Sequence, residues 1–166
     1  MIRRDTLIAT SKVIVDLASH YKGAPHREMR VDGLVYGVLH TKFGVKRQHQ
    51  VHTSVPKARP DRIDFKQNGK NAVVIEFAVR TLSHLNEAYG SQNRSELKKL
   101  AKQTNMSARY LLLLDLSGRA AIARDQLKRT YDRLNAGRGK FPRKSVRVLY
   151  VHPDLSYHFL WNPWAT

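Results

Sequence analysis

Two short stretches with the composition of β-strands flank the dipeptide Asn68-Gly69, and no other part of the chain constrains its fold so strongly. The stretches cover residues 62–66 and 72–79. Asn-Gly is the dipeptide that best tolerates the positive φ angles of a tight turn between two strands. The sequence therefore predicts a β-hairpin here.

Three acidic residues lie on this hairpin. Asp61 and Asp64 precede the turn, and Glu76 follows it inside an otherwise apolar run. A buried carboxylate is destabilising by several kcal/mol unless it is paired or binds a cation, so two acids that converge across the hairpin suit a Mg²⁺-like ion. The alternative is a surface hairpin whose acids form ion pairs with basic side chains of the same stretch, namely Arg62, Lys66 and Arg80.

This arrangement resembles the PD-(D/E)XK nuclease superfamily. In that family a strand with Pro-Asp is followed, after a turn, by a strand with an acid, any residue and a lysine. Pro60-Asp61 matches the first half and Glu76 the second, while Asp64 is the type of acid that some branches of the family use instead. Ala78 stands at the position of the family's lysine.

The resemblance implies a Mg²⁺- or Mn²⁺-dependent endonuclease that hydrolyses phosphodiester bonds in DNA, with RNA as the less favoured substrate. Glu76, together with Asp64 or Asp61, would hold the ion, which would activate water and stabilise charge on the phosphate. Arg80 lies on the same strand parity as Glu76 and would act beside it as a further catalytic side chain that stabilises charge but cannot act as a base.

The missing lysine leaves two interpretations open. Lys66, or a lysine from the helix predicted over residues 94–102, could supply the amine from another place. Alternatively the chain is a catalytically inactive nucleic-acid-binding module on the same fold, and Ala78 favours this interpretation. The resemblance also implies two accessory residues, Glu28 and Gln92, although a carboxylate such as Glu28 equally suits the start of a helix.

The charge of the chain indicates a polyanionic partner. Its 30 Lys and Arg residues outnumber its 13 Asp and Glu residues, which gives a formal net charge of +17. Nucleic acid is the favoured partner over an anionic membrane surface or an acidic protein, because the charge is spread along the chain and not confined to one amphipathic helix or tail. The candidate nucleic-acid-binding residues near the hairpin and on the later helix are Arg59, Arg62, Lys66, Arg94, Lys98, Lys99 and Lys102.

Length and composition predict one domain that spans residues 1–166 and lies in the cytoplasm. The chain is long enough for one core and short for two. It has no cysteine, which excludes disulfides and thiolate metal sites and fits a reducing compartment. No apolar run approaches the roughly 20 residues that span a bilayer. A homodimer is one arrangement by which such a nuclease would cut two strands.

The first half of the chain predicts two helices and a strand. Apolar residues at helical spacing indicate a helix over 6–20 and a second one from about residue 29 to Gly44. Residues 45–53 alternate and predict a strand. After the hairpin, Asn93 and Glu96 have the spacing of a helix capping box.

The second half predicts an interior strand, a helix and a closing pair of strands. Four successive leucines at 111–114 are typical of a strand that is covered on both faces. A helix is expected from Ser117-Gly118 to Gly137, followed by strands over 146–152 and 156–161. The whole predicts an α/β fold with a central mixed sheet flanked by helices. It has the αβββαβ core order of restriction endonucleases, with an added N-terminal helix and a C-terminal strand pair.

The register of the hairpin decides which aspartate faces Glu76. A two-residue Asn68-Gly69 turn places Asp61 opposite Glu76, whereas a loop with an odd number of residues brings Asp64 to that face. Propensity favours the first register. The position of Asp64 well inside the strand favours the second, because Pro60 would leave Asp61 at a frayed strand end. Asp64 is the preferred partner on balance.

Overall fold

The described part of the chain forms a six-stranded mixed β-sheet with helices on both faces, which confirms the predicted α/β class. The computed structural model describes residues 2–20, 28–47, 64–69, 71–103, 105–132 and 146–161. The elements in chain order are α1 Arg4–Ser19, α2 Glu28–Phe43, β1 Lys46–Arg47, β2 Phe65–Gln67, β3 Val73–Arg80, a short 3-10 helix Leu85–Ala88, α3 Arg94–Lys102, β4 Ala108–Asp115, α4 Arg124–Asp132, β5 Val146–Val151 and β6 Tyr157–Trp161.

The strands lie in the sheet in their chain order, from β1 to β6. The pairs β1–β2, β2–β3 and β5–β6 are antiparallel, whereas β3–β4 and β4–β5 are parallel. Every residue of β4 is buried, as the run of four leucines predicts for a strand covered on both faces. The element order is consistent with a restriction-endonuclease-like core.

Strand β3 divides its side chains between two apolar clusters. Val73, Ile75, Phe77 and Val79 pack with residues of α1 and α2 on one face of the sheet. Val74 and Ala78 pack on the other face with residues of α3 and α4. Because side chains alternate along a strand, Glu76 lies on the α3 side, between two apolar neighbours.

The hairpin has the odd register, and the predicted two-residue turn is wrong. Gln67 pairs with Val73 and Phe65 pairs with Ile75, so residues 68–72 form a five-residue connection. Gly69 lies within it at φ +113°, where glycine is favoured. The local preference of Asn-Gly is worth less than burying the apolar residues of β3 on both faces of the sheet, which the register must respect.

Several other elements correct or confirm the sequence predictions. The helix expected from residue 117 begins only at Arg124, because the Asp115 carboxylate accepts hydrogen bonds from the Ser117 N–H (3.0 Å) and hydroxyl (2.7 Å) and holds a turn there. Of the strand predicted over 45–53, β1 is described and residues 48–53 lie outside the described ranges. The closing strand pair is confirmed as β5 and β6.

Among the described residues, no helix is long and apolar enough to cross a membrane.

Candidate active site

The register of β2 and β3 brings two carboxylates together at the α3 face of the sheet. Continuing the pairing of Phe65 with Ile75 by one residue sets Asp64 opposite Glu76. The Asp64 Oδ2 atom accepts a hydrogen bond of 3.0 Å from the backbone N–H of Phe77. This bond fixes Asp64 against β3 at the point where Glu76 leaves the strand.

Lys99 reaches the same point from α3. Its Nζ atom lies 3.1 Å from Glu76 Oε2 and donates a hydrogen bond to it. The same ammonium lies 4.0 Å from Glu96 Oε1, one turn back along the helix. Leu97 and Leu100 of α3 are fully buried against the sheet, so the rotation of the helix about its axis, and with it the direction of Lys99, is fixed by packing.

Glu76 is in an environment that opposes its ionised form. Only 1% of its surface is exposed, and its Oε1 atom has no hydrogen-bond donor among the described residues. Burial, followed by the charge of Asp64 and a hydrogen bond with it, raises the pKa of Glu76 to about 9, although Lys99 acts in the opposite direction. Protonation of Glu76 compensates for the missing donor at Oε1, because a protonated carboxyl group can itself donate a hydrogen bond to a neighbouring carboxylate.

The pKa of Lys99 is raised as well. Burial lowers the pKa of its ammonium, but the negative charges of Glu76, Asp64 and Glu96 outweigh burial and raise that pKa above its ordinary value. The lysine is 21% exposed and therefore remains a cation at the edge of the cleft. A fixed cation beside two carboxylates, one of them forced to hold a proton, is an arrangement found at functional sites more often than in structural cores.

These side chains line a cleft of about 120 Å³ between β3 and α3. Ala78 and Phe77 form part of its wall. Its other polar lining residues are Glu87, Gln92, Asn93 and Glu96. Four carboxylates and one ammonium thus share a small volume in a protein that is otherwise strongly basic, so the cleft attracts cations and repels anions until cations are bound.

The side chain of Asn93 fixes the backbone turn that precedes α3 beside the cleft. It is 1% exposed, and its side-chain amide donates hydrogen bonds to the backbone carbonyls of Glu87 and Tyr89. The hydroxyl of Tyr131 from α4 donates to the carbonyl of Ala88 at 3.0 Å, and burial raises the pKa of this hydroxyl. The capping box predicted for Asn93 and Glu96 is wrong, because the Asn93 side chain makes no cap to the helix and bonds to these carbonyls instead.

Arg80 has contacts that differ from its predicted role beside Glu76. Its Nη1 atom lies 2.5 Å from Asp115 Oδ2, and its Nε donates to the carbonyl of Leu85 at 3.1 Å. The Tyr150 hydroxyl bonds to the same carboxylate oxygen, and Arg80 is absent from the lining of the cleft. Asp115 is completely buried, so the guanidinium serves to neutralise it.

The remaining predicted residues divide into three groups. Gln92 lines the cleft, whereas Lys66 is half-buried on β2 opposite Val74 and is not among the lining residues. Three of the predicted residues lie at exposed positions of α3, namely Arg94, Lys98 and Lys102. The predicted residues outside the described ranges are Arg59, Asp61, Arg62 and the side chain of Glu28.

The sequence did not single out two acids that the fold adds to the cleft. The sequence pattern around Glu96 indicates only a helix cap, and no pattern points to Glu87. The spacing of Glu96 and Lys99 is a usable signal, because residues three apart lie on one face of a helix. Glu87 belongs to a short 3-10 helix that has no periodic pattern, so the sequence carried no signal for it.

The residues present fit a hard divalent cation such as Mg²⁺. Mg²⁺ takes one or two carboxylates and completes its shell with water and substrate oxygens. Asp64 and Glu76 supply that number, and Oε1 of Glu76 accepts no hydrogen bond from the residues that the structure describes. Among the described residues, no three His, Asp or Glu side chains converge as a closed metal-binding group, so any ion here would keep most of its water or bind substrate.

Comparisons with known proteins give little likeness. No protein-family model matches the chain, and no curated protein matches it. Among solved structures, it is similar to SfsA from Pyrococcus furiosus, solved in complex with Ca²⁺, with 16% identity and a TM-score of 0.37. The similarity covers 80% of this chain, which spans about 62% of the length of that protein.

Proposed function

We propose that this protein is a metal-dependent nuclease of the PD-(D/E)XK type, which hydrolyses phosphodiester bonds of DNA in the cytoplasm with Mg²⁺ or Mn²⁺. One observation carries the proposal. Glu76 is a fully buried carboxylate with one oxygen lacking a donor, beside Asp64 and Lys99 in a cleft of a chain with a net charge of +17. A structural core gains nothing from such a group.

Asp64 and Glu76 would hold the ion, which when bound supplies Lewis acidity towards the phosphate and lowers the pKa of a bound water. The protein's own groups position the metal ligands and neutralise the charge of the phosphate. The Phe77 N–H keeps Asp64 in place, and the apolar neighbours Val74 and Ala78 keep bulk water away from Glu76. The Lys99 ammonium is a donor only, so it can bind a phosphate oxygen or orient the attacking water.

Lys99 is our candidate for the amine that the family places two residues after the second acid. Ala78 occupies that position here, and both residues line the same cleft. The small alanine leaves room that a lysine entering from α3 can fill. Lys66, the other candidate, is not among the lining residues of the cleft.

The direct test is cleavage of end-labelled nucleic acid by the pure protein. Duplex DNA, single-stranded DNA and RNA are incubated with Mg²⁺, with Mn²⁺ and with a chelator. We expect cut products from DNA with either metal and none with chelator, and we expect Glu76→Gln to abolish them. Asp125→Asn, an exposed acid of α4 outside the cleft, is the matched control and should cut normally. Absence of cleavage by the wild-type protein in every condition would refute the nuclease.

A second candidate function is an inactive nucleic-acid-binding module on this fold. The observation in its favour is that Ala78 packs into the apolar cluster beneath α3, so the family's lysine position has become part of the core. Such a module would bind nucleic acid with an affinity that falls steeply with salt. Glu76→Gln would leave that affinity unchanged, and no metal would produce cleavage.

A further inference from the structure

Helix α3 presents three distinct flanks. Leu97, Leu100 and Ala101 are buried and face the sheet. Glu96 and Lys99 are half-buried and line the cleft. The third flank is exposed and basic, and its side chains recur every four residues, at Arg94, Lys98 and Lys102.

The flank that lines the cleft and the basic flank lie on opposite sides of the buried stripe of α3. At about 100° per residue, Lys98 points about 130° away from the mean direction of Glu96 and Lys99. An α-helix with its side chains is about 10 to 12 Å across, so the two flanks are separated by roughly the width of the helix. A phosphate in the cleft and a phosphate on the basic flank therefore lie on different sides of α3.

Helix α3 has a net positive charge, which the helices on the other face of the sheet lack. It carries four basic side chains against the single acid Glu96. The helices α1 and α2 each carry two basic and two acidic residues, apart from histidines. Among the described helices, the net positive charge therefore lies on the face of the sheet that also holds the cleft.

We infer that α3 lies in the major groove of B-form DNA, with the strand to be cut at the cleft and the complementary strand against Arg94, Lys98 and Lys102. The inference rests on the proposed nuclease function and names its substrate. The major groove of B-DNA is about 12 Å wide and admits one α-helix, so its two backbones match the two flanks. The major groove of A-form RNA is deep and narrow, and a single strand offers no second backbone.

The test compares three probes of one sequence, about 20 base pairs or nucleotides long so that they span about two turns. They are duplex DNA, duplex RNA and single-stranded DNA, and binding is measured over a series of salt concentrations with Ca²⁺, a hard oxygen-binding cation that neutralises the cleft in place of Mg²⁺, and each probe is checked afterwards to be intact. We expect duplex DNA to bind at least about tenfold more tightly than the other two. The double variant Arg94→Ala/Lys98→Ala removes two phosphate contacts. The plot of log K against log salt for duplex DNA should therefore become shallower by about 1.8 units of slope.

The control variant Arg3→Ala/Lys42→Ala removes the same charge from exposed positions outside α3 and should leave duplex affinity within about twofold. The affinity of Arg94→Ala/Lys98→Ala for single-stranded DNA should be equally unaffected. Equal binding of the three probes by the wild-type protein, or an equal loss for all three in the α3 variant, overturns the groove geometry and leaves the nuclease proposal standing. Absence of binding to every probe overturns both proposals.

Discussion

Replacing Glu76 by glutamine should stabilise the protein at alkaline pH when no metal is present. The wild-type carboxyl group has a pKa of about 9 in the folded protein, against an ordinary value of 4.5. The folded state therefore binds a proton that the unfolded state releases. The sign follows from linkage: the contribution of Glu76 to stability is fully present below about pH 4.5 and is lost as the pH rises through about 9.

The size of the effect follows from the same pKa difference. Each pH unit between the two pKa values lowers the free energy of unfolding by about 1.4 kcal/mol, so the loss between pH 5 and pH 8 has an upper limit of about 4 kcal/mol. Partial water entry reduces this loss, and we expect about 2 kcal/mol. For a chain of this size that corresponds to a fall in Tm of about 4 to 8 °C.

The assay is urea or thermal unfolding in chelator from pH 5 to pH 8 for the wild type, Glu76→Gln and Asp125→Asn. Glutamine fills the same space and accepts the Lys99 hydrogen bond but does not titrate. We expect the stability of Glu76→Gln to exceed that of the wild type at pH 8 and to approach it at pH 5, while Asp125→Asn follows the wild type. Parallel stability curves for the wild type and Glu76→Gln would show that the Glu76 pKa is ordinary and would refute the reasoning.

Further substitutions test the roles of Lys99, Asp64 and Arg80 one at a time. Lys99→Ala should slow DNA cleavage by about a hundredfold or more, the effect of removing one donor at a developing charge, and Ala78→Lys in that variant should restore part of the rate in a single-turnover assay. Asp64→Asn keeps the acceptor for the Phe77 N–H, so its unfolding free energy should change by less than about 1 kcal/mol while calorimetry shows at least a tenfold loss of Mg²⁺ affinity. Arg80→Met leaves Asp115 buried without its cation and should lower the unfolding free energy by about 3 to 5 kcal/mol in urea, with little effect on the cleavage rate of the folded fraction.

Those parts of the fold that depend on burial were predictable from the sequence. The four leucines of β4 and the alternation along β3 are direct consequences of a sheet covered on both faces, and both patterns survive in the structure. The partner of Glu76 required a choice between two registers. Local turn preference pointed to Asp61, whereas the position of Asp64 within the strand pointed to the register that the structure has.

The parts that depend on contacts between distant segments were not predictable. Lys99 approaches Glu76 across 23 residues of sequence, and no local pattern shows which side of α3 meets Glu76. Only the buried stripe of α3 decides which of its lysines points into the cleft. The same limit applies to Arg80, because its partner Asp115 lies at the end of the adjacent parallel strand.

The position of Lys99 bears on the choice between an active nuclease and an inactive module. A buried ion pair adds little to stability, and apolar residues of similar size would serve a core equally well or better. An inactive module would have no use for Glu76 and Lys99, whose side chains lie 3.1 Å apart and line the same cleft as Asp64. If the proposed nuclease function holds, Lys99 supplies from α3 the amine that the nuclease family carries at the position of Ala78, since both residues line the cleft. A Lys99→Ala variant that cuts DNA at the wild-type rate would contradict this inference, because the cleft would then work without any amine from α3.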